Sequence, residues 1–184
     1  MASISPDLER VLTRSGWFPG RRIAIDHWSE ATSRSGLQMF TAAREFLEEF
    51  GGLTLAPEVG EGQAFTPIPF TIDPTDDRCE EACLVEDLEE HFPLRFFPVG
   101  MYGEEVLLIT DQGHLCLLLE GSLDCCGPNM AEALELLLLA RRLPVHWGEQ
   151  APFRGWIIEA EVAKALNISA SSDPKIVIAP APAA

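Results

Sequence analysis

The chain has 184 residues, 47% of them hydrophobic and 23% charged, a globular composition that excludes an intrinsically disordered chain. Its 29 acidic residues outnumber 13 basic ones, giving a net charge of −16 and a pI of about 4.5. That balance argues against a nucleic-acid-binding surface, which needs clustered cations, and against an anionic membrane, and it favours basic partners.

Ser5-Pro6 predicts a first helix, with Ser5 as its cap, Pro6 at the first helical position and Leu8, Val11 and Leu12 on one face. Gly16 suits the left-handed position past its end. The stretch from Gly20 to Ser29 alternates irregularly and reads as a short strand or a loop. From Gly36 to Phe50, apolar residues recur every three or four positions and predict a second helix, which Gly51-Gly52 stops. Leu53 to Pro57 reads as a short strand. Ala64 to Asp73 reads as an edge strand or irregular segment, because Pro67 and Pro69 cannot donate to a ladder. Asp77-Arg78-Cys79-Glu80 has the form of a capping box for a helix to about His91, with Leu84, Val85, Leu88 and Phe92 as its apolar face.

Three strands follow: Leu94 to Met101, Val106 to Thr110 and His114 to Leu119. The last two form a hairpin around Gly113, which supplies the positive φ of a tight turn. Asn129 and Glu132 predict the start of a strong helix with Leu134, Leu137 and Leu138 facing the core. Arg141 and Arg142 would occupy its last turn, and Pro144 would end it. Beyond lie Trp147, Phe153 and Trp156, a modest helix from about Glu159 to Leu166, and an Ala/Pro tail at about 179–184 expected to be flexible. The three aromatics read as closing over the core, with interface anchoring as the other reading. This divides the chain into a domain at 1–142 and a C-terminal extension at 143–184 that packs on it. Helices, strands, helix, strands, helix, without a βαβ rhythm, predict an α+β fold with a central, mostly antiparallel sheet flanked by helices.

No catalytic template is met: Gly-x-Ser-x-Gly, His-Glu-x-x-His and phosphate-binding glycine loops are all missing. The chain is read as carrying no catalytic residues and no cofactor. Cys79, Cys83, Cys125 and Cys126 with His91 invite a zinc site, but adjacent Cys125 and Cys126 do not readily face one ion, so no metal is expected. The four histidines are scattered and read as surface or half-buried residues. Five cysteines, an odd number, with no basic-then-apolar pattern near Met1 point to reduced thiols and a cytoplasmic location. The longest apolar run, Leu136 to Ala140, is far shorter than the roughly 20 residues of a membrane span.

The acidic excess is concentrated. Asp73, Asp76, Asp77, Glu80, Glu81, Glu86, Asp87, Glu89 and Glu90 face a single base, Arg78, so this segment holds −8 of the chain's −16. One reading is a solvated helix whose first-turn acids complement the dipole, which covers Asp77, Glu80 and Glu81 but not Glu89 and Glu90. A metal site is a second, although the calcium-loop pattern is missing. The third is a surface complementary to a basic protein, with Asp73, Asp76, Asp77, Glu80, Glu81, Glu86 and Asp87 as contact residues.

The stretch Leu12-Thr13-Arg14-Ser15-Gly16-Trp17-Phe18-Pro19-Gly20-Arg21 resembles the opening signature of the third SUKH immunity-protein subfamily. Ala43 to Leu53, a helix closing in Gly51-Gly52-Leu53, resembles that family's next block. Pro98-Val99-Gly100, the segment from Leu107 to His114 and Ala133-Leu134-Glu135 resemble its later ones, so the likeness runs from about Leu8 to Arg142. The resemblance implies a SUKH-like α+β fold and a non-enzymatic protein that binds and blocks a cognate bacterial polymorphic toxin, often a nuclease or nucleic-acid deaminase. Trp17, Gly20, Arg21, Gly51 and Gly52 match the motif and read as fold residues, with Trp17 burying its ring and Arg21 pairing with a carboxylate. Nucleases are basic, so an acidic inhibitor suits them. Two other functions stay open on the residues alone: a small metal- or carboxylate-dependent hydrolase, and a general protein-interaction module.

Overall fold

The computed structural model describes residues 4–76, 82–151, 155–169 and 175–179. Its elements in chain order are α1 (Pro6–Arg14), α2 (Asp26–Arg34), α3 (Thr41–Phe50), β1 (Thr54–Leu55), β2 (Phe70–Thr71), α4 (Ala82–His91) and β3 (Phe96–Tyr102). There follow β4 (Glu105–Thr110), β5 (Leu115–Leu119), β6 (Ser122–Gly127), α5 (Met130–Leu139), β7 (Val145–Ala151), β8 (Gly155–Ile158), α6 (Ala160–Ala165) and β9 (Ile176–Ile178). The strands form one sheet in chain order from β1 to β9, and every neighbouring pair is antiparallel except β8 and β9. That one parallel step follows from a connection long enough to carry α6. The α+β class with a mostly antiparallel sheet is therefore observed.

Register assigns the two faces. Phe97 sits opposite Ile109, and its ring meets Phe40 at the start of α3. Phe96 is its neighbour in the strand, so it points the other way, where its ring meets Phe92 just past α4. α3 thus covers one face together with α5, whose Met130 lines a cavity with Ile109, and α1 packs beside α5. α4 covers the opposite face. There the sheet curls until Trp147 of β7 and Trp156 of β8 both reach Phe92, with ring centroids at 6.2 and 5.4 Å.

Local chemistry accounts for the ends of the helices. The Ser5 hydroxyl accepts from the Leu8 amide, and Pro6 opens α1. Asn129 caps α5 by accepting the Glu132 amide at 3.1 Å, while its side-chain amide donates to the Glu132 carboxylate at 2.8 Å. α5 is buried nearly all round, from Ala133 and Leu134 through Leu136 to Leu139. Gly113, at φ +87°, turns the β4–β5 hairpin as expected.

Several expectations need correction. α2 forms where a strand or loop was expected, because Trp28 and Thr32 alone carry its buried face and leave no apolar period to read. α3 begins at Thr41, not Gly36. Ala64 to Asp73 is irregular apart from the two paired residues Phe70 and Thr71, the irregular alternative that its prolines allowed. α5 ends at Leu139 with Ala140 in the left-handed conformation, so Arg141 and Arg142 lie beyond its last turn, and Pro144 plays no part in ending it. β6, β7, β8 and β9 were not foreseen. The capping box at Asp77 to Glu80 lies outside the described residues, as do Phe153, Cys79 and the last five positions.

Replacing Asn129 with Ala removes the α5 cap and should lower stability by about 1 kcal/mol, read from a urea unfolding midpoint at unchanged slope.

Candidate partner-binding site

The acidic segment divides once its partners are identified. Asp73 accepts from the Thr75 amide at 2.9 Å and the Thr75 hydroxyl at 2.7 Å, which makes a local turn after β2. Asp76 lies at the end of that turn, half-buried. Asp77, Glu80 and Glu81 lie outside the described residues. On α4, Glu86 is exposed to solvent. Asp87 is committed to the fold: one carboxylate oxygen accepts from the indole nitrogen of Trp156 and from the Gln150 amide, both at 2.9 Å. Trp156 is only 1% exposed, so its N–H has no water to turn to. Glu89 and Glu90, unexplained by the helix dipole, also have partners. Glu89 accepts the Phe96 amide at 3.0 Å, and Glu90 pairs with Lys175 at 3.2 Å. These acids tie α4 to the first residue of β3, to β7 and β8, and to the residue before β9.

The second constellation surrounds the end of α3. Trp17 is buried, stacks on Phe50 at 6.4 Å and donates its indole N–H to Glu49 at 3.1 Å. Arg21 donates to the main-chain carbonyls of Glu49 and Gly51, at 2.5 and 2.8 Å. Its hydrogen-bond partners are therefore carbonyls rather than the expected carboxylate, although Glu49 acts on it through space. The reason is that a helix leaves its last carbonyls without amide partners, and a guanidinium fork satisfies two at once. Burial lowers the Arg21 pKa from its usual value. Gly51 has no room for a side chain, because a Cβ there would lie 2.4 Å from both the Leu47 carbonyl oxygen and the Trp28 ring. Gly20 and Gly52 adopt left-handed backbone, at φ +79° and +73°.

The other titratable groups of interest lie in the sheet and on α4. Cys116 and Cys125 lie opposite each other on β5 and β6, and burial pushes the Cys116 and Cys126 thiols up. His146 pairs with Asp124 at 2.7 Å across β6 and β7, and burial followed by the Asp124 charge raises the Glu105 carboxyl. His91 is fully interior rather than half-exposed. Its Nδ1 donates to the Asp87 carbonyl at 2.7 Å, and its Nε2 has no partner among the described residues. Among the described residues no three His, Cys, Asp or Glu side chains are placed to hold a metal ion. No described helix is long and apolar enough to cross a membrane.

The family model described as SUKH-3 immunity protein matches residues 4–140. The chain belongs to the SUKH-3 immunity protein family. It is thus one of a family of toxin-neutralising immunity proteins. No curated protein and no solved structure matches the chain. The SUKH-3 match includes the whole α1–α3 constellation and ends one residue past α5, so β7, β8, α6 and β9 lie beyond it. Sequence reasoning found the motif residues and the acidic run, but it missed that Asp87 is a hydrogen-bond acceptor for Trp156. The only signal was a buried tryptophan in need of an acceptor, which names no partner 69 residues away.

Gly51→Ala forces the Trp28 ring and the α3 end apart and should lower stability by about 1–3 kcal/mol in denaturant titration. Asp87→Ala strands the Trp156 N–H and should cost about 1–3 kcal/mol, while Glu86→Lys on the exposed side of α4 should stay within about 0.5 kcal/mol of the parent by the same titration.

Proposed function

We propose that this SUKH-3 protein neutralises its cognate toxin by binding alone, without catalysis, in the cytoplasm, and that the toxin is a basic polymorphic toxin domain acting on nucleic acid, a nuclease or deaminase. The observation that carries this reading is the family match over residues 4–140. The net charge of −16 supplies the chemistry. An enzyme that holds phosphate presents clustered cations, and a strongly acidic protein is drawn to them at long range. Once docked, it would block the phosphate-binding cleft and exclude the substrate.

The contact surface proposed for this encounter is the acidic segment Asp73, Asp76, Asp77, Glu80, Glu81, Glu86 and Asp87. Within it Glu86 is exposed, and Asp73 and Asp87 serve the fold as well. A carboxylate already bonded on one side still contributes its charge to the field, so a structural role does not remove it from the electrostatic one. Residues 143–184 are proposed as an extension of the 1–142 immunity domain that shields the α4 face.

The test is coexpression with the toxin domain encoded beside the gene, followed by association kinetics at low and high salt. Growth rescue and a complex that weakens with salt are expected. Reversing charge at Asp76, Asp77, Glu80 and Glu81 should slow association by about tenfold or more at low salt and flatten its salt dependence. An association rate and salt dependence unchanged by the reversal would reject the acidic surface, and the absence of both rescue and complex would reject that toxin as the target.

A further inference from the structure

A trough lies on the face covered by α1, α3 and α5, the side of the sheet opposite α4. Its deeper half is a cavity of about 180 Å³ floored by Ile4, Leu8, Phe50, Met130 and Leu134, where the N-terminal ends of α1 and α5 meet the C-terminal end of α3. Its outer half, of about 220 Å³, continues past Asn129 and Met130 to Ala42, Ile109 and the β4–β5 turn. The two halves adjoin at Asn129 and Met130, which line both, and α3 runs along both through Ala42, Glu45 and Glu49.

The charged lining is of one sign. Glu49 borders the deeper half, and Glu45 and Asp111 border the outer half, while among the described residues no Lys, Arg or His lines either. Glu45 and Glu49 are one helical turn apart on α3, so they stand on the same side of the trough. Glu45 is exposed and forms no ion pair among the described residues. Glu49 is held in place by the Trp17 indole. An apolar floor beneath an acidic rim selects a segment that places apolar side chains between cations. We infer that this trough is a docking groove for a basic, amphipathic segment of a protein partner. The inference rests on the toxin-binding reading only for the partner's identity. It names a surface with no residue in common with the acidic segment.

Depth separates the two surfaces physically. Exposed carboxylates steer an encounter but add little to the lifetime of a complex. A desolvated apolar cleft that takes in an aliphatic or aromatic side chain is where a hot spot forms. The trough provides that cleft.

The experiment uses the full chain with labelled methionine methyl groups, because Met130 lines the trough while Met101 lies buried in β3. The probe is a short amphipathic peptide of Leu and Lys, with its Leu and Glu counterpart as control. The Met130 signal should move progressively with the Lys peptide, less so at high salt, while Met101 stays fixed. Ala131→Trp, which plugs the trough, should abolish the response at unchanged melting temperature. Glu45→Arg should weaken it severalfold at low salt and less at high salt, as reversal of an exposed rim charge does. A Met130 signal that stays still, or moves equally with the Glu peptide, overturns the inference. Movement with protein concentration alone would assign the trough to a second copy of this chain and also overturn it. So would peptide binding seen only after residues 1–3 are removed, which would make the trough the seat of the chain's own N-terminus. Because the probe is a peptide, these outcomes stand whether or not the neighbouring toxin binds.

Discussion

Strands β3, β4 and β5 have almost no side that can face water. All seven residues of β3 are buried, as are the last four of β4 and the first four of β5. A sheet buried on both faces must be covered on both, and the rest of the architecture follows from that requirement. α1, α3 and α5 cover one face. α4 alone is too short to cover the other, so the sheet curls and carries Trp147 and Trp156 over to Phe92. The indole N–H of Trp156 then lies in a dry interior, and Asp87 on α4 is the acceptor that makes this arrangement tolerable.

The same requirement explains why the acidic segment is not simply a charged surface. A helix that closes an apolar face must be bonded to the strands it covers, and three of its acids do this at three separate places. The α3 end obeys a parallel logic with the opposite sign. The helix ends in carbonyl oxygens with Glu48 and Glu49 beside them, and the Arg21 guanidinium, from the loop after α1, bonds two of those oxygens. Trp17, Trp28 and Phe50 pack around it, and Gly51 is small because the Trp28 ring needs the space. The family signature is thus a record of how one helix end is closed.

What could be read from the sequence was local. The Ser5 and Asn129 caps, the period of α3 and the Gly113 hairpin each depend on residues within a few positions of one another. The elements that were missed lack such a signal. β6 contains Asp124, and its ladder is broken by register shifts, so no alternation survives. β7 carries Gly148, Glu149 and Gln150, which read as loop until β6 and β8 pair with it on either side. α2 is polar on all but one narrow side. The acidic run was plain in the sequence, but the division of labour inside it was not, because Asp87 depends on Trp156 and Glu90 on Lys175. The trough is built from the ends of α1, α3 and α5 and could not be read at all.

Charge and shape make different demands on a protein that must find a dangerous partner quickly and hold it. Long-range attraction depends on net charge and tolerates rearrangement of individual acids, so a sequence can vary there while keeping its sign. Retention depends on a few desolvated contacts whose geometry is fixed by the fold. With the inferred groove, the second demand falls on helix ends that the closure of α3 holds in place: Phe50 stacks on Trp17, and Glu49 accepts the same indole N–H. Of the rim residues, Asp111 accepts the Arg95 amide at 3.3 Å and so helps hold the hairpin turn to the residue before β3, while Glu45 is exposed on α3. A rigid apolar floor with Glu45 exposed on its rim can change its partner at that position without disturbing the closure of α3 on which the fold depends.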